Sequence, residues 1–253
     1  MLRKTVLITG GTRGVGLSLA KMFNNTNHNV IITGTSLEKT KLVANDIGGN
    51  VTPIQLDLTN VESIENFGKE LQSCRIDTYI NNAGMLSRDS LENVKLSRYN
   101  RMLMVNQFGP CMLSKYVLQN MSNDGSLIYF CPPLLIDYKT SFLTPYMSTK
   151  LGQTLFMQML AHKLSNTNMR VCGVWTKYGL YTDALTHRKI GNKENYMSPD
   201  IISKTIELLL TEEPKNISGK VFVDHDYLLS KNVNIKQFAL GNNTLTLDQL
   251  FSK

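Results

Sequence analysis

The four cysteines, Cys74, Cys111, Cys131 and Cys172, include no CxxC pair. That scatter argues against a zinc-ligand motif or a disulfide framework, and the four read as free thiols of a reducing compartment. No run of about 18 apolar residues occurs, so no membrane-spanning helix is expected. The opening "MLRKTVLITGG" has too short an apolar stretch for a secretory signal, and the closing "LFSK" is neither a peroxisomal nor an ER retention signal. A cytoplasmic location is therefore expected. The net charge is +7, yet the basic residues do not cluster. Even the densest group, "LTHRKIGNKE", carries an acid and few aromatics. A scattered positive balance favours solubility or a mild attraction for anions, and no nucleic-acid partner is expected. Linkers, repeats and low-complexity stretches are also missing, which leaves one domain over residues 1–253. Its last part, 225–253, is expected as an extension packed on it.

What is present is a strict alternation. "KTVLITGG" is a short β-branched run ending in glycine, hence a buried strand, and "VGLSLAKMFNN" has helical apolar spacing. The strands continue with "NVIITGT", "VTPIQLDL", "IDTYINNAG", "GSLIYF", "MRVCGVW" and "GKVFVD". Helices are expected between them: "LEKTKLVANDI", stopped by Gly48-Gly49, then "VESIENFGKELQS" and one long segment, "LSRYNRMLMVNQFGPCMLSKYVLQNM". "PYMSTKLGQTLFMQMLAHKLS" and "SPDIISKTIELLLTEE" complete the set. Strand–helix alternation implies right-handed βαβ crossovers. The expected fold class is α/β, a single-domain doubly wound parallel sheet of Rossmann type with helices on both faces.

The first strand–helix junction reads "TGGTRGVG", Thr9 to Gly16. A dinucleotide pyrophosphate needs a tight turn, close backbone approach and a helix N-terminus. Gly10, Gly14 and Gly16 meet those needs, with Thr12 and Val15 between them. An ordinary glycine-rich turn is the alternative. The second strand ends "ITGTS", without the acid that would bind both ribose hydroxyls of NAD. Thr35 and Ser36 can hydrogen-bond a 2′-phosphate, and Arg13 can reach the same group as a charged donor. NADP (as NADPH) is the expected cofactor and NAD the less favoured one. A solvated loop arginine is the competing account of Arg13.

Tyr146 and Lys150 stand four apart on a helical segment and share a face. A tyrosine near pKa 10 is a poor proton donor at neutral pH, and a nearby ammonium lowers that pKa. By spacing alone the pair reads rather as a surface feature of an amphipathic helix. Taken together and in order, the glycine turn, "NNAG" at Asn81–Gly84, "VN" at Val105-Asn106 and "YMSTK" at Tyr146–Lys150 resemble the classical short-chain dehydrogenase/reductase family, over Lys4 to about Asp224. "CPPL", "VWTKYGLYTDA" and "GKVFVDHDYLL" with "NVNIKQFALG" resemble its hydroxysteroid dehydrogenase-like type 2 members, with a carbonyl reductase as the competing neighbour. The resemblance implies that Asp57 and Leu58 lie near the adenine, and that Asn81, Asn82, Ala83 and Gly84 line the strand end beside the cofactor. It implies that Asn106 holds a water of a proton relay, that Tyr146 is the general acid or base, and that Lys150 binds the nicotinamide ribose. A helix-interior residue bonded to backbone is the plainer account of Asn106.

Two family features are missing. A serine is expected about thirteen residues before the tyrosine, where this chain has Pro133; aligning on the prolines puts Cys131 in its place. A thiol is larger and a weaker donor than a hydroxyl. Losing such a donor can cost about 10²–10³ in kcat when it belongs to an oxyanion hole. Thr140, Ser141 and Thr144 are the alternative hydroxyls, and a small buried packing residue is the alternative account of Cys131. After the sixth strand the family's Pro-Gly is replaced by Thr176-Lys177, and Thr182 fits the threonine expected at the cofactor. Thr182 also suits a helix N-cap.

The segment from Tyr178 to Met197 is expected to cover a substrate. Leu180, Tyr181, Leu185, Ile190, Tyr196 and Met197, with Leu134, Leu135 and Ile136 opposite, suit an apolar, lipid-like carbonyl or alcohol, or else simply pack the lid on the core. By resemblance, the apolar faces of the helices carrying Asn106 and Tyr146 make a homodimer or homotetramer. Two functions stay open: an NADP-dependent oxidoreductase, and a nucleotide-binding regulatory or scaffold protein whose catalysis is impaired at Cys131.

Overall fold

A computed structural model describes residues 3–134, 143–186 and 191–251. Seven strands form one sheet: β1 (Thr5–Ile8), β2 (Asn29–Gly34), β3 (Val51–Gln55), β4 (Ile76–Asn81), β5 (Met121–Phe130), β6 (Arg170–Trp175) and β7 (Val221–Val223). Their order across the sheet is β3-β2-β1-β4-β5-β6-β7 and every pairing is parallel. The chain runs outward from β1 through β2 to β3, then returns to place β4 on the other side of β1. That reversal opens a crevice at the carboxyl ends of β1 and β4, where doubly wound sheets bind ligands.

The strands alternate faces with period two, as pleated strands must. Val6, Ile8, Ile80, Ile128, Cys172 and Val174 bury toward α1 (Gly14–Asn25) and α8 (Asp200–Leu209). Leu7, Tyr79, Leu127, Tyr129 and Val171 bury toward α3 (Val61–Glu70), α5 (Gly109–Gln119) and α6 (Thr144–Lys163). Both faces are covered, which is why these strands read as nearly continuous apolar runs. Ser36 caps α2 (Leu37–Ile47) by accepting from the Lys39 N–H, and Gly48, at φ 72°, ends it. Asn60 caps α3 in the same way.

The long helical segment expected after "NNAG" is broken. It comprises α4 (Leu96–Leu103), a wide turn over Met104–Phe108, and α5. In that turn the Gly109 N–H bonds to the Met104 carbonyl, five residues back. The reason lies in Pro110, which has no N–H to return to Asn106 in the ordinary four-residue pattern. β5 also begins at Met121, earlier than the expected "GSLIYF", and its pairing with β4 shifts register between Ile76 and Thr78.

The remaining helices are short: α7 (Asp183–Thr186), α9 (Pro214–Ile217), α10 (Asp224–Ser230) and α11 (Leu247–Phe251). Beyond α10 the chain returns across the segment that follows β6. The Ser198 N–H bonds to the Phe238 carbonyl, and bridges join Met197 to Ala239 and Tyr178 to Thr246. Leu250, 1% exposed, closes a small apolar cluster with Leu143, Leu185 and Tyr196. Replacing Leu250 by alanine should therefore cost about 2–5 kcal/mol of stability. Leu229→Ala, at a side chain 49% exposed, should stay within about 0.5 kcal/mol. Urea unfolding of the two variants checks the difference.

Candidate active site

The glycine turn lies where β1 meets α1. Gly10 and Gly14 have φ of 65° and 53°, in the left-handed region that favours glycine. A Cβ on Gly16 would stand 2.2 Å from the Gly10 carbonyl oxygen, so only glycine fits there. The end of β4 clamps this turn. Asn82 Nδ2 donates to the carbonyls of Thr9 and Gly10 at 2.9 and 3.1 Å. The N–H groups of Asn82 and Ala83 both donate to Thr9 Oγ1 at 3.1 Å. Arg13 makes no side-chain cap at the start of α1, unlike Ser36 and Asn60 at α2 and α3. An uncapped helix start behind a turn too tight for side chains suits a phosphate, so these residues fit a dinucleotide.

The other expected cofactor residues surround that turn. Thr12 packs toward Gly34, where a Cβ would stand 3.0 Å from the Thr12 methyl carbon, and Val15 is partly buried on the core. The Ser36 hydroxyl is engaged in its cap, and the Thr35 carbonyl accepts from Gln55 at 3.1 Å. Asp57 accepts from the N–H and hydroxyl of Thr59 at 2.8 and 2.7 Å, and Leu58 is buried below Gly109. Gly84 is exposed, 3.6 Å from Asn106 Oδ1 measured from an added Cβ. Thr182 reaches the turn: its methyl carbon would stand 3.1 Å from a Cβ on Gly14. Arg13 is 3.8 Å from Asp183 in the segment after β6, and both side chains are open to solvent, so the pair contributes little to stability.

Asn106 is fully buried and its amide is committed on both sides. Oδ1 accepts from the Met85 N–H at 2.8 Å, while Nδ2 donates to the Met85 carbonyl and to Thr149 Oγ1, each at 2.9 Å. Thr149 in turn donates to the Tyr146 carbonyl at 2.7 Å. One side chain thus joins the loop after β4, the wide turn and the first turns of α6. Tyr146 is half-buried beside the cluster of Leu143, Leu185, Tyr196 and Leu250.

Lys150 is 2% exposed. Its ammonium donates to the Phe130 carbonyl and to Gln153 Oε1 at 2.8 Å, with the Phe130 and Trp175 rings each 5.9 Å away. Burial lowers its pKa to about 8, with the Cys131 thiol acting in the opposite direction. Gln153 is absent from the residues expected at the site. Its place three residues after Lys150, on the same helix face, was the available signal.

Cys131 stands at the end of β5, where its N–H bonds to the Val174 carbonyl at 3.1 Å. Its thiol is fully buried in the core layer that contains Met157 and interacts with Thr154. A Cβ on Gly173 would stand 2.8 Å from the sulfur. Burial pushes this thiol up to about 11, against the hydrogen bond from Thr154 and the charge of Lys150. Thr144 is exposed in the first turn of α6, and Thr140 and Ser141 lie outside the described residues.

The turn that replaces Pro-Gly has its own support. The Lys177 N–H donates to Asp224 Oδ1 at 2.9 Å, and Thr176 Oγ1 donates to the Tyr178 carbonyl at 2.8 Å. Asp224 is fully buried, which raises its pKa. Of the expected substrate wall, Leu180 and Met197 belong to the main core, Leu185 and Tyr196 pack beside Tyr146, and Tyr181 and Leu134 are exposed. Leu135, Ile136 and Ile190 lie outside the described residues. Among the described residues no group of three His, Cys, Asp or Glu side chains could hold a metal ion, and no helix is long and apolar enough to cross a membrane.

Known proteins share this architecture. The short chain dehydrogenase family profile matches residues 4–190. The 3-oxoacyl-(acyl-carrier-protein) reductase FabG of Buchnera aphidicola is 32% identical over 242 residues, covering 87% of this chain and 94% of its own. A short chain dehydrogenase from Mycobacterium thermoresistibile superposes with a TM-score of 0.85 at 24% identity, over 97% of this chain and 95% of its own. One from Burkholderia cenocepacia, in complex with NADP, superposes with a TM-score of 0.73 at 22% identity, over 87% and 95%.

The burial of Cys131 is open to a chemical check. Alkylation of the folded protein at neutral pH should label the partly exposed Cys74 and leave Cys131 unmodified until denaturant is added. Peptide mass spectrometry reads the sites. Equal labelling rates would place the Cys131 thiol at an open surface.

Proposed function

We propose, from the premise that the chain belongs to the short-chain dehydrogenase/reductase family, that it is an NADP-dependent oxidoreductase acting on a carbonyl or alcohol. The observation that carries this reading is the hydrogen-bonded path from Asn106 through Thr149 to the backbone of Tyr146. It fixes the first turn of α6 against the loop that follows the cofactor strand. Bound NADPH would supply a hydride to the carbonyl carbon. Tyr146 would give its phenolic proton to the carbonyl oxygen, and the nearby Lys150 ammonium would favour the phenolate that remains. The glycine turn and the start of α1 would hold the pyrophosphate, with Thr182 beside them. Asp57, Leu58 and Asn82 to Gly84 would line the remainder.

The preference for NADP rests on the acid missing from the end of β2 and on Thr35, Ser36 and Arg13. The NADP bound to the Burkholderia cenocepacia protein is in line with it. Leu185 and Tyr196 beside Tyr146 favour an apolar substrate. The resemblance to hydroxysteroid dehydrogenase-like type 2 proteins, read only from "CPPL" and the segments after β6 in the sequence, would point the same way. Phe108 in the wide turn, Met112 on α5, and Leu155 and Met159 on α6 leave apolar side chains 39–71% exposed, which supports a homodimer or homotetramer.

The buried Cys131 thiol favours a second reading, a nucleotide-binding regulatory or scaffold protein with impaired catalysis. It removes one polarising donor from the substrate oxygen if no hydroxyl of the following loop replaces it. NADPH oxidation over a panel of ketones and aldehydes separates the two. Tyr146→Phe should lower turnover by about 10²–10⁴-fold with cofactor affinity kept. Tight NADPH binding without turnover on the whole panel would favour the second reading. Arg13→Glu should raise the KM for NADPH far more than that for NADH, and equal effects would sink the NADP assignment.

A further inference from the structure

Gln153 is fully buried in α6, a position where leucine or methionine would pack without a polar group to satisfy. Its carbonyl oxygen accepts from Lys150 at 2.8 Å, and its NH₂ group, buried, has no partner. The lysine sets that orientation. An ammonium can only donate, so the amide must turn its oxygen toward Lys150, and the NH₂ then faces no acceptor. A buried amide that gives up half of its hydrogen bonds has one evident use in this fold, which is to hold the ammonium.

We propose that Gln153 is a positioning residue that anchors Lys150 and keeps it charged; the inference rests on the proposed role of the Tyr146–Lys150 pair. The ammonium has three donors. The Phe130 carbonyl and Gln153 take two, which leaves one for a ribose hydroxyl or a water. The two fixed bonds hold the nitrogen at the ends of β5 and β6, beside the Phe130 and Trp175 rings and 5.9 Å from each. Hydrogen bonds to the charged form oppose the desolvation that draws the lysine toward deprotonation near neutral pH. Among the described residues the titratable group that acts on it is Cys131, just past β5, whose thiol burial pushes up to about 11. β6 presents the uncharged Trp175 ring.

The test follows the Lys150 ε-carbon resonance in ¹³C-lysine-labelled full-length protein as pH is raised, assigned by its loss in Lys150→Arg. It requires no turnover. In the unaltered protein the midpoint should fall near 8. Gln153→Leu removes an acceptor from the charged form and should lower the midpoint by about one unit. Gln153→Glu adds a carboxylate and should raise it by about one to three units. Where NADPH oxidation is measurable, the alkaline limb of the rate should move with each midpoint. Opposite shifts support anchoring, because a residue that only fills space would not move the two variants in opposite directions. Unchanged midpoints, or shifts of one sign, in folded variants would overturn it, and if Gln153→Leu fails to fold, Gln153→Met, which likewise lacks the amide acceptor, takes its place in the comparison. Opposite shifts without turnover in the unaltered protein would leave the anchor standing and count against the oxidoreductase reading alone.

Discussion

The amide of Asn106 is the joint on which the site depends. Its oxygen and both of its N–H groups are used, two on the backbone of Met85 and one on Thr149. Breaking one of these buried bonds would leave a partner unsatisfied, so the loop after β4 and the first turns of α6 are held as one unit. The wide turn at Met104–Phe108 places Asn106 there. It arises from Pro110, a residue that takes no part in the site itself. A backbone defect in a helix thereby fixes the direction of a side chain.

A second constraint is steric. Gly16 must approach the Gly10 carbonyl, and Asn82 closes on the same turn from β4. Strand order brings β1 and β4 together at the reversal of the sheet, so the uncapped start of α1 and the end of β4 face one crevice. Thr182 and Asp183 reach that turn from the segment after β6, through the Gly14 packing and the Arg13 ion pair. The glycine turn and the segment after β6 are thus in contact, and Asp224 steadies the base of that segment at Lys177.

Much of this was legible along the chain. Every strand lies within or overlaps its expected run, because buried parallel strands require continuous β-branched and apolar stretches that helices of this chain do not share. The glycine turn was legible because its glycines answer to local backbone geometry. The broken helix was harder. Apolar periodicity runs on through "MLMVNQFGPC", and the consequence of Pro110 is felt four residues earlier. Gln153 escaped because a glutamine in a helix of mixed polarity is ordinary until its burial is known. The short helices α10 and α11 gave too few turns for periodicity to register.

The sequence by itself determined the order of strands and helices, the place of the glycine turn and the presence of Tyr146 and Lys150 four apart on one helix. These follow from spacing within about 20 residues, where backbone periodicity governs which side chains meet. Only the tertiary structure decided the roles of Cys131, Gln153 and Asp224. Cys131 occupies the position where a serine was expected, yet its sulfur is in the core, beside Thr154 and Met157. Gln153 became a partner of Lys150 because α6 packs its buried face on the ends of β5 and β6. Asp224 meets Lys177 across 47 residues of chain. Burial and long-range contact set the charge and direction of these groups, and neither property is written in local spacing.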